Sequence, residues 1–181
     1  HHLCAQALQP AAVRDEPLIH TYRNPATAAA EGTPLEELRG DLSAHGFWQR
    51  SITTVFDIRV SDTDAPSYHG RDPQKVLLQQ EQEKTRKYGP SCLESRRHFT
   101  PMVFSVDGLM GAQAHAATRQ LAALLTKKWK RGHADMCNYV RSRLALSLVR
   151  SLSMALRHPR DPTARATHPL WDNGSGFQLY T

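Results

Sequence analysis

Hydrophobic and polar positions alternate with period two in the first third of the chain and recur at helical spacing after Asp72. Val13–Ile19 (VRDEPLI) reads as a short strand that Pro17 confines to a sheet edge or a strand end. Asp41–Phe47 and Ile52–Ser61 (ITTVFDIRVS) read as two strands joined by a hairpin turn around Trp48–Ser51. Phe99–Val106 (FTPMVFSV) reads as a buried strand ending at Asp107-Gly108. Four helices are predicted: His1–Gln9, Asp72–Tyr88, Ala112–Lys130 and about Ala134–Arg157. Asp72 at the N-cap and Pro73 at the first helical position mark the start of the second, and Gly89-Pro90 its end. Gly132 breaks the last two apart. The stripe Val140, Leu144, Leu148, Leu152, Leu156 repeats every four residues and predicts a core-facing side of the last helix. Arg23–Arg39 and Ser61–Arg71 read as loops.

This order predicts a mixed α/β (α+β) fold, a small mixed sheet with a central hairpin flanked by helices and followed by a C-terminal helical pair. One domain over 1–157 is expected, with an irregular basic tail over 158–181 that packs only through Leu170, Trp171, Phe177 and Tyr180. There is no G-x-G-x-x-G and no P-loop, which removes the common nucleotide-binding folds.

Composition narrows the classes further. The 181 residues are 40% hydrophobic and 22% charged, too apolar for a wholly disordered chain. No apolar run approaches the ~20 residues that span a bilayer, so no membrane is expected. The start, HHLCAQALQPAAV, has neither the charged flank nor the apolar run of a signal peptide, and without an initiating Met it reads as part of a longer chain. Lys and Arg outnumber Asp and Glu by 23 to 17, giving +6, which favours polyanionic partners. Cys4, Cys92 and Cys137 form no C-x-x-C pair, so neither a disulfide framework nor a zinc finger is indicated. A reducing, nuclear or intracellular compartment is expected.

The chemistry concentrates on the hairpin. Alternation puts Phe56, Ile58 and Val60 on one face of their strand and Val55, Asp57 and Arg59 on the other. A charge in such a strand is costly unless it is paired or binds a metal. A plain Asp57–Arg59 ion pair is the simplest account. The hairpin also brings Asp41 toward Asp57, and two clustered carboxylates repel unless a proton or a cation sits between them. Oxygen ligands of this kind suit Mg²⁺ or Mn²⁺. Glu16 is available as a third acid. Downstream, Lys84 and Lys87 share one helical face next to Tyr88, an arrangement that a solvated face would also produce.

Glu16, Gly40-Asp41, Phe56-Asp57-Ile58-Arg59, Lys84-Thr85-Arg86-Lys87-Tyr88 and the strand Pro101–Val106 together resemble the PD-(D/E)xK nuclease superfamily. More narrowly, they resemble the restriction-like endonuclease region of retrotransposon reverse-transcriptase polyproteins. VFDIRV followed by KTRKY carries most of the likeness. The stretches GFWQRSITTVFDIRVSDTDAPS, RRHFTPMVFSVDGLMG and PLWDNGSGFQLY extend it to nearly the whole chain.

The resemblance implies a restriction-endonuclease-like core and an Mg²⁺-dependent endodeoxyribonuclease. Asp41 and Asp57, with Glu16, would hold the metal, and Lys84, Lys87 and Tyr88 would form the K-x-x-K-Y motif. Gly40 stands where the family has Pro, and Arg59 where it has the motif lysine. Arginine stays protonated at neutral pH, so Arg59 could act only electrostatically. The implied partners are double-stranded DNA and a reverse-transcriptase domain of the same polyprotein, with no small-molecule cofactor. A catalytically decayed remnant that only binds nucleic acid is the alternative.

DNA contacts are expected from Arg96, Arg97, Lys127, Lys128, Lys130 and Arg131, with a second stripe of Arg143, Arg150 and Arg157 that equally fits a solvated helix face. Asp62 and Asp64 are read as loop-capping residues, Trp48 and Trp129 as packing residues. His133 and Cys137, four apart on a helix, form at most half of a metal site.

Overall fold

The structure, a computed structural model, describes residues 1–22 and 36–157. The elements in chain order are α1 (His2–Ala7), β1 (Val13–Asp15), β2 (Leu18–Tyr22), β3 (Glu36–Arg39), β4 (Leu42–His45), β5 (Thr53–Ser61), α2 (Pro73–Glu94), β6 (His98–Ser105), α3 (Ala112–Trp129) and α4 (His133–Arg157). A four-stranded mixed sheet has the order β1-β4-β5-β6, and β2 and β3 form a separate antiparallel pair. β1, β4 and β5 are antiparallel neighbours, whereas β6 runs parallel to β5. A parallel neighbour needs a long crossover, and α2 provides it. The mixed α/β architecture with a central hairpin flanked by helices is as the sequence predicts.

Period-two alternation sorts β5 between two packing layers. Phe56 joins Leu42, Ala44 and Phe47 against α1, Ala117, Leu121 and Leu125 of α3, and Met136 and Val140 of α4. Phe47 meets Phe56 edge to face at 4.9 Å, a favoured aromatic geometry. On the opposite face, Val55 packs with Ile19, Leu38, Tyr88 and Cys92. The sheet is therefore sandwiched between α2 with the β2–β3 pair on one side and α1 with α3 on the other. α4 packs outside α3. The β4–β5 turn closes through Gly46, whose N–H donates to Ile52 O at 3.0 Å. Its φ of +80° is one that glycine takes without strain.

Four expectations need correction. First, Val13–Ile19 is not one strand. Glu16 adopts a left-handed φ of +45° and Pro17 lacks an N–H, so the chain leaves the main sheet after Asp15 and starts the small one at Leu18. Second, residues 36–39 within the expected loop form β3, because Leu38 covers Val55 and Arg39 pairs with Leu18; the remainder, 23–35, lies outside the described residues.

Third, α2 runs through Gly89-Pro90 to Glu94. Pro90 is exposed, and buried Tyr88 and Cys92 hold both sides of it against the sheet. That packing offsets the ~3 kcal/mol that an internal proline costs. Fourth, the apolar stripe of α4 reaches the core cluster only at its start. Val140 is fully buried and Leu144 packs on the core, while Leu148 and Leu152 are half-buried, and Leu146, Val149 and Met154 beside the stripe are exposed. α4 has 25 residues and α3 has 18, so α4 outruns its partner by about 10 Å at 1.5 Å per residue. The Leu156 side chain and the tail 158–181 lie outside the described residues.

Candidate functional site

The face of β5 turned to α2 carries a row of polar contacts. Ser61 Oγ donates to Gln80 Oε1 at 2.7 Å, Arg59 pairs with Glu83 at 3.0 Å, and Asp57 pairs with Lys84. The row ends at Val55 and Tyr88 in the apolar cluster. Strand and helix run antiparallel, and helical positions 80, 83/84 and 88 face strand positions 61, 59/57 and 55. Asp57 is 4% exposed. A carboxylate at that depth needs a counter-charge, and the Lys84 ammonium supplies it. The simple Asp57–Arg59 ion pair does not form, because the guanidinium is engaged by Glu83 further along α2.

Asp41 stands beside this pair. The β4–β5 ladder is regular from His45↔Thr53 to Leu42↔Phe56. At Asp41 the main chain turns out of it: Asp41 N–H still donates to Phe56 O at 3.0 Å, but its carbonyl accepts from Glu16 N instead. Asp41 Oδ2 takes the carbonyl's place and accepts from Ile58 N at 2.5 Å. The carboxylate thus caps the strand pair next to Asp57, and it remains exposed.

Gly40 is dictated by space and bonding. A Cβ there would lie 2.4 Å from Val55 Cγ1, and Gly40 N–H donates to Pro17 O at 3.1 Å. Proline, the residue of the motif that Gly40 replaces, satisfies neither condition. Glu16 is exposed in its turn, joined to Asp41 through the main chain, and its side chain makes no hydrogen bond or ion pair among the described residues.

Tyr88 closes the site from α2. Its ring stacks on Phe99 with centroids 5.2 Å apart, and the Lys84 and Lys87 ammonium groups lie 5.6 and 5.0 Å from its centroid. Burial pushes the phenol up to about 12, and the neighbouring carboxylates of Asp57 and Asp41 add to the shift. Phenolate beside two carboxylates would concentrate negative charge in a poorly solvated place. Both acids and Tyr88 therefore share one electrostatic environment. Lys87 is exposed and makes no ion pair among the described residues; of the two lysines, Lys84 is the one in contact with Asp57.

The predicted DNA-contacting residues divide between two faces. Arg96 and Arg97 follow α2 into β6, and Arg97 Nη1 donates to Leu18 O at 2.7 Å on the side of the sheet that carries Asp57. Lys127, Lys128, Lys130 and Arg131 are exposed around the end of α3, which packs on the Phe56 face, and Lys128 donates to Leu8 O. These four stand across the sheet from the Asp57 carboxylate. Arg143 and Arg150 are exposed on α4, a layer further out, and the Arg157 side chain lies outside the described residues.

The other singled-out residues have local roles. Asp62 Oδ1 caps its loop by accepting from Asp64 N at 3.0 Å. Trp48 donates to Thr100 Oγ1 at 2.9 Å, and Trp129 packs edge-on against Tyr139. His133 and Cys137 touch each other at 3.5 Å. All three cysteines are free.

Sequence reasoning missed two acids on α2. Glu83 occupies Arg59, and Glu81, 3% exposed, accepts from Gln113 N at 2.8 Å and from the neighbouring N–H groups at the start of α3. Burial pushes the Glu81 carboxyl up while those N–H groups pull it down. A glutamate nine residues into a helix gives no sign in the sequence that it caps another helix.

Asp57 Oδ2 meets Lys84 as an ion pair and accepts no well-directed hydrogen bond. With Asp41 adjoining, the donor set is two hard carboxylates, which suits a small divalent cation. No group of three His, Cys, Asp or Glu side chains placed to hold a metal occurs among the described residues, so the geometry offers a pair and not a triad with Glu16. No helix among them is long and apolar enough to cross a membrane. No family model matches the chain, and no curated protein matches it.

Proposed function

We propose that this chain is a restriction-like, Mg²⁺-dependent DNA endonuclease domain of a retroelement, cutting one strand of target DNA. The observation that carries the reading is the convergence on Asp57. This buried carboxylate is paired with Lys84 of the K-x-x-K-Y segment, flanked by Asp41 from the hairpin and covered by Tyr88. A core hydrophobe would fill the Asp57 position at lower cost, since a buried ion pair is seldom a net source of stability.

Asp57 and Asp41 would hold the cation, Mg²⁺ or Mn²⁺. When bound, a divalent ion of this kind polarises a phosphate and lowers the pKa of an attacking water. The remaining roles belong to the protein. Lys84 would place a positive charge where charge develops on the phosphate oxygens. Tyr88, kept neutral, can donate a hydrogen bond. Arg59, held by Glu83, serves to fix α2 on β5. In a full-length polyprotein the nicked strand would prime an attached reverse transcriptase, a domain whose motifs this sequence does not contain.

The test is nicking of supercoiled plasmid by the purified chain with Mg²⁺ and with EDTA, alongside Asp57→Ala. Metal-dependent nicking that the variant lacks supports the proposal. Equal nicking by both proteins, or none by the wild type beside retained DNA binding, overturns it, and the second result leaves the decayed nucleic-acid-binding module.

A further inference from the structure

A groove of about 730 Å³ lies on the same face of the sheet as Asp57, at the Thr53 end of β5. Its floor is built from neighbouring strands in register: Arg14 beside Ser43, and His45 beside Thr53, with His45 Nδ1 and Thr53 Oγ1 3.1 Å apart. Leu18 and Arg97 line it on the side of the small sheet, where Arg97 is anchored on Leu18 O at 2.7 Å. Ile19 and Leu38, packed over Val55, separate the groove from the carboxylates. None of the contacts that build the candidate site uses Arg14, His45 or Thr53.

We propose that this groove is a second nucleic-acid contact, holding the sugar–phosphate backbone of the bound DNA through Arg14 and Arg97. The inference rests on the nuclease reading for the identity of the polyanion and adds a site to it. Two guanidiniums, a hydroxyl-bearing floor and an imidazole offer donors for phosphate oxygens, and Leu18 with the alanines Ala11 and Ala12 offers apolar surface for sugars. One acid, Asp15, shares the lining, so the balance of charge is positive. The volume lies in the range of ordinary ligand sites.

Thr53 and Asp57 are four residues apart on one strand, about 13 Å at ~3.3 Å per residue. Phosphates of one strand of a duplex advance about 3.4 Å each along the axis. A backbone running along β5 would meet the groove about four nucleotides from the phosphate at Asp57. No base edge needs to be read at that distance, so the contact positions the DNA without selecting its sequence.

The experiment measures binding of a fluorescent duplex to the full chain in EDTA over a series of salt concentrations, so no cleavage contributes. Arg14→Glu and Arg97→Gln are compared with Lys75→Glu, an equal charge reversal on an exposed α2 position near the other end of β5. Arg14 is exposed on an edge strand, so its replacement leaves the core intact; thermal melting checks Arg97→Gln, which also loses its bond to Leu18. The expected result is an affinity loss of about tenfold for each groove variant and a salt dependence reduced by about one phosphate contact, with Lys75→Glu close to wild type. Equal effects of Arg14→Glu and Lys75→Glu, or an unchanged salt slope in Arg14→Glu, would overturn the groove while leaving plasmid nicking to decide the nuclease reading. Loss of binding in the groove variants of a wild type that never nicks would instead retain the groove and remove the nuclease.

Discussion

The two faces of β5 solve different problems with alternate residues of one strand. Toward α3, Phe56 and its neighbours form a layer held mainly by apolar burial. Toward α2, the strand offers Asp57, Arg59 and Ser61, and each is answered by a polar partner on the helix. A layer of packed hydrophobes would join α2 to the sheet as well. The charged face costs desolvation and demands that helix and strand keep one register, which is what a site needs and a core does not.

Truncation on the apolar face should have the largest effect on folding. Phe56→Ala is expected to cost about 3–5 kcal/mol, read from chemical denaturation, because it removes a buried ring and its edge-to-face contact with Phe47. A loss under about 1 kcal/mol would mean that this face is not the main core. On the other face the large effect is on chemistry. Asp57→Asn should lower metal-dependent nicking by about 10²–10³ while leaving duplex affinity equal or higher, since a ligand and one negative charge are removed together.

Lys84→Ala is intermediate. It leaves Asp57 buried without its counter-charge, and a loss of about 2–3 kcal/mol is expected, below the full cost of breaking a buried pair because Lys84 is partly exposed. Combining it with Asp57→Asn should restore most of that stability, whereas simple additivity of the two would break the comparison.

Tyr88 gives a subtler readout. Its phenol sits at about 12 in the folded protein, above the ordinary 10, so the native state holds its proton more tightly than the unfolded chain. This contribution to stability is complete below pH ~10 and is lost as pH rises toward about 12. Phenolate absorbance should follow that window, and Asp57→Asn should move it downward. An unchanged titration would place Tyr88 outside the influence of Asp57.

The smallest effect belongs to Arg59→Ala, which removes a half-exposed ion pair. Stability should change by no more than about 1 kcal/mol, and nicking should stay near wild type. A large loss of nicking would return the catalytic cation to Arg59.

How much of this was legible depends on range. The alternation around Asp57 was readable because strand geometry is local: Val55, Asp57 and Arg59 share a face wherever the strand lies. The hairpin followed from two β-rich runs a few residues apart, and α2's start from Asp72, whose Oδ1 does accept from Gln74 N at 2.9 Å. The end of α2 was not readable. Local rules stop a helix at Gly89-Pro90, and only the tertiary contacts of Tyr88 and Cys92 carry it past. Arg59 is the cation nearest to Asp57 in the chain, two residues away. The choice went to Lys84, 27 positions away, because the antiparallel crossing of α2 presents Glu83 to Arg59 and Lys84 to Asp57.

The mixed α/β class, the faces of β5, the hairpin and the clustering of charge on it are all written locally in the chain, since periodicity, turn chemistry and side-chain charge act within a few residues. Tertiary structure decided which of those residues meet. It broke the first strand at Glu16, placed Asp41 on the Ile58 N–H, divided the basic residues between opposite faces and, among the described residues, left Leu146, Val149 and Met154 of α4 exposed. These outcomes depend on where one element crosses another. That crossing is set by the packing of the whole core, which no short window of sequence contains.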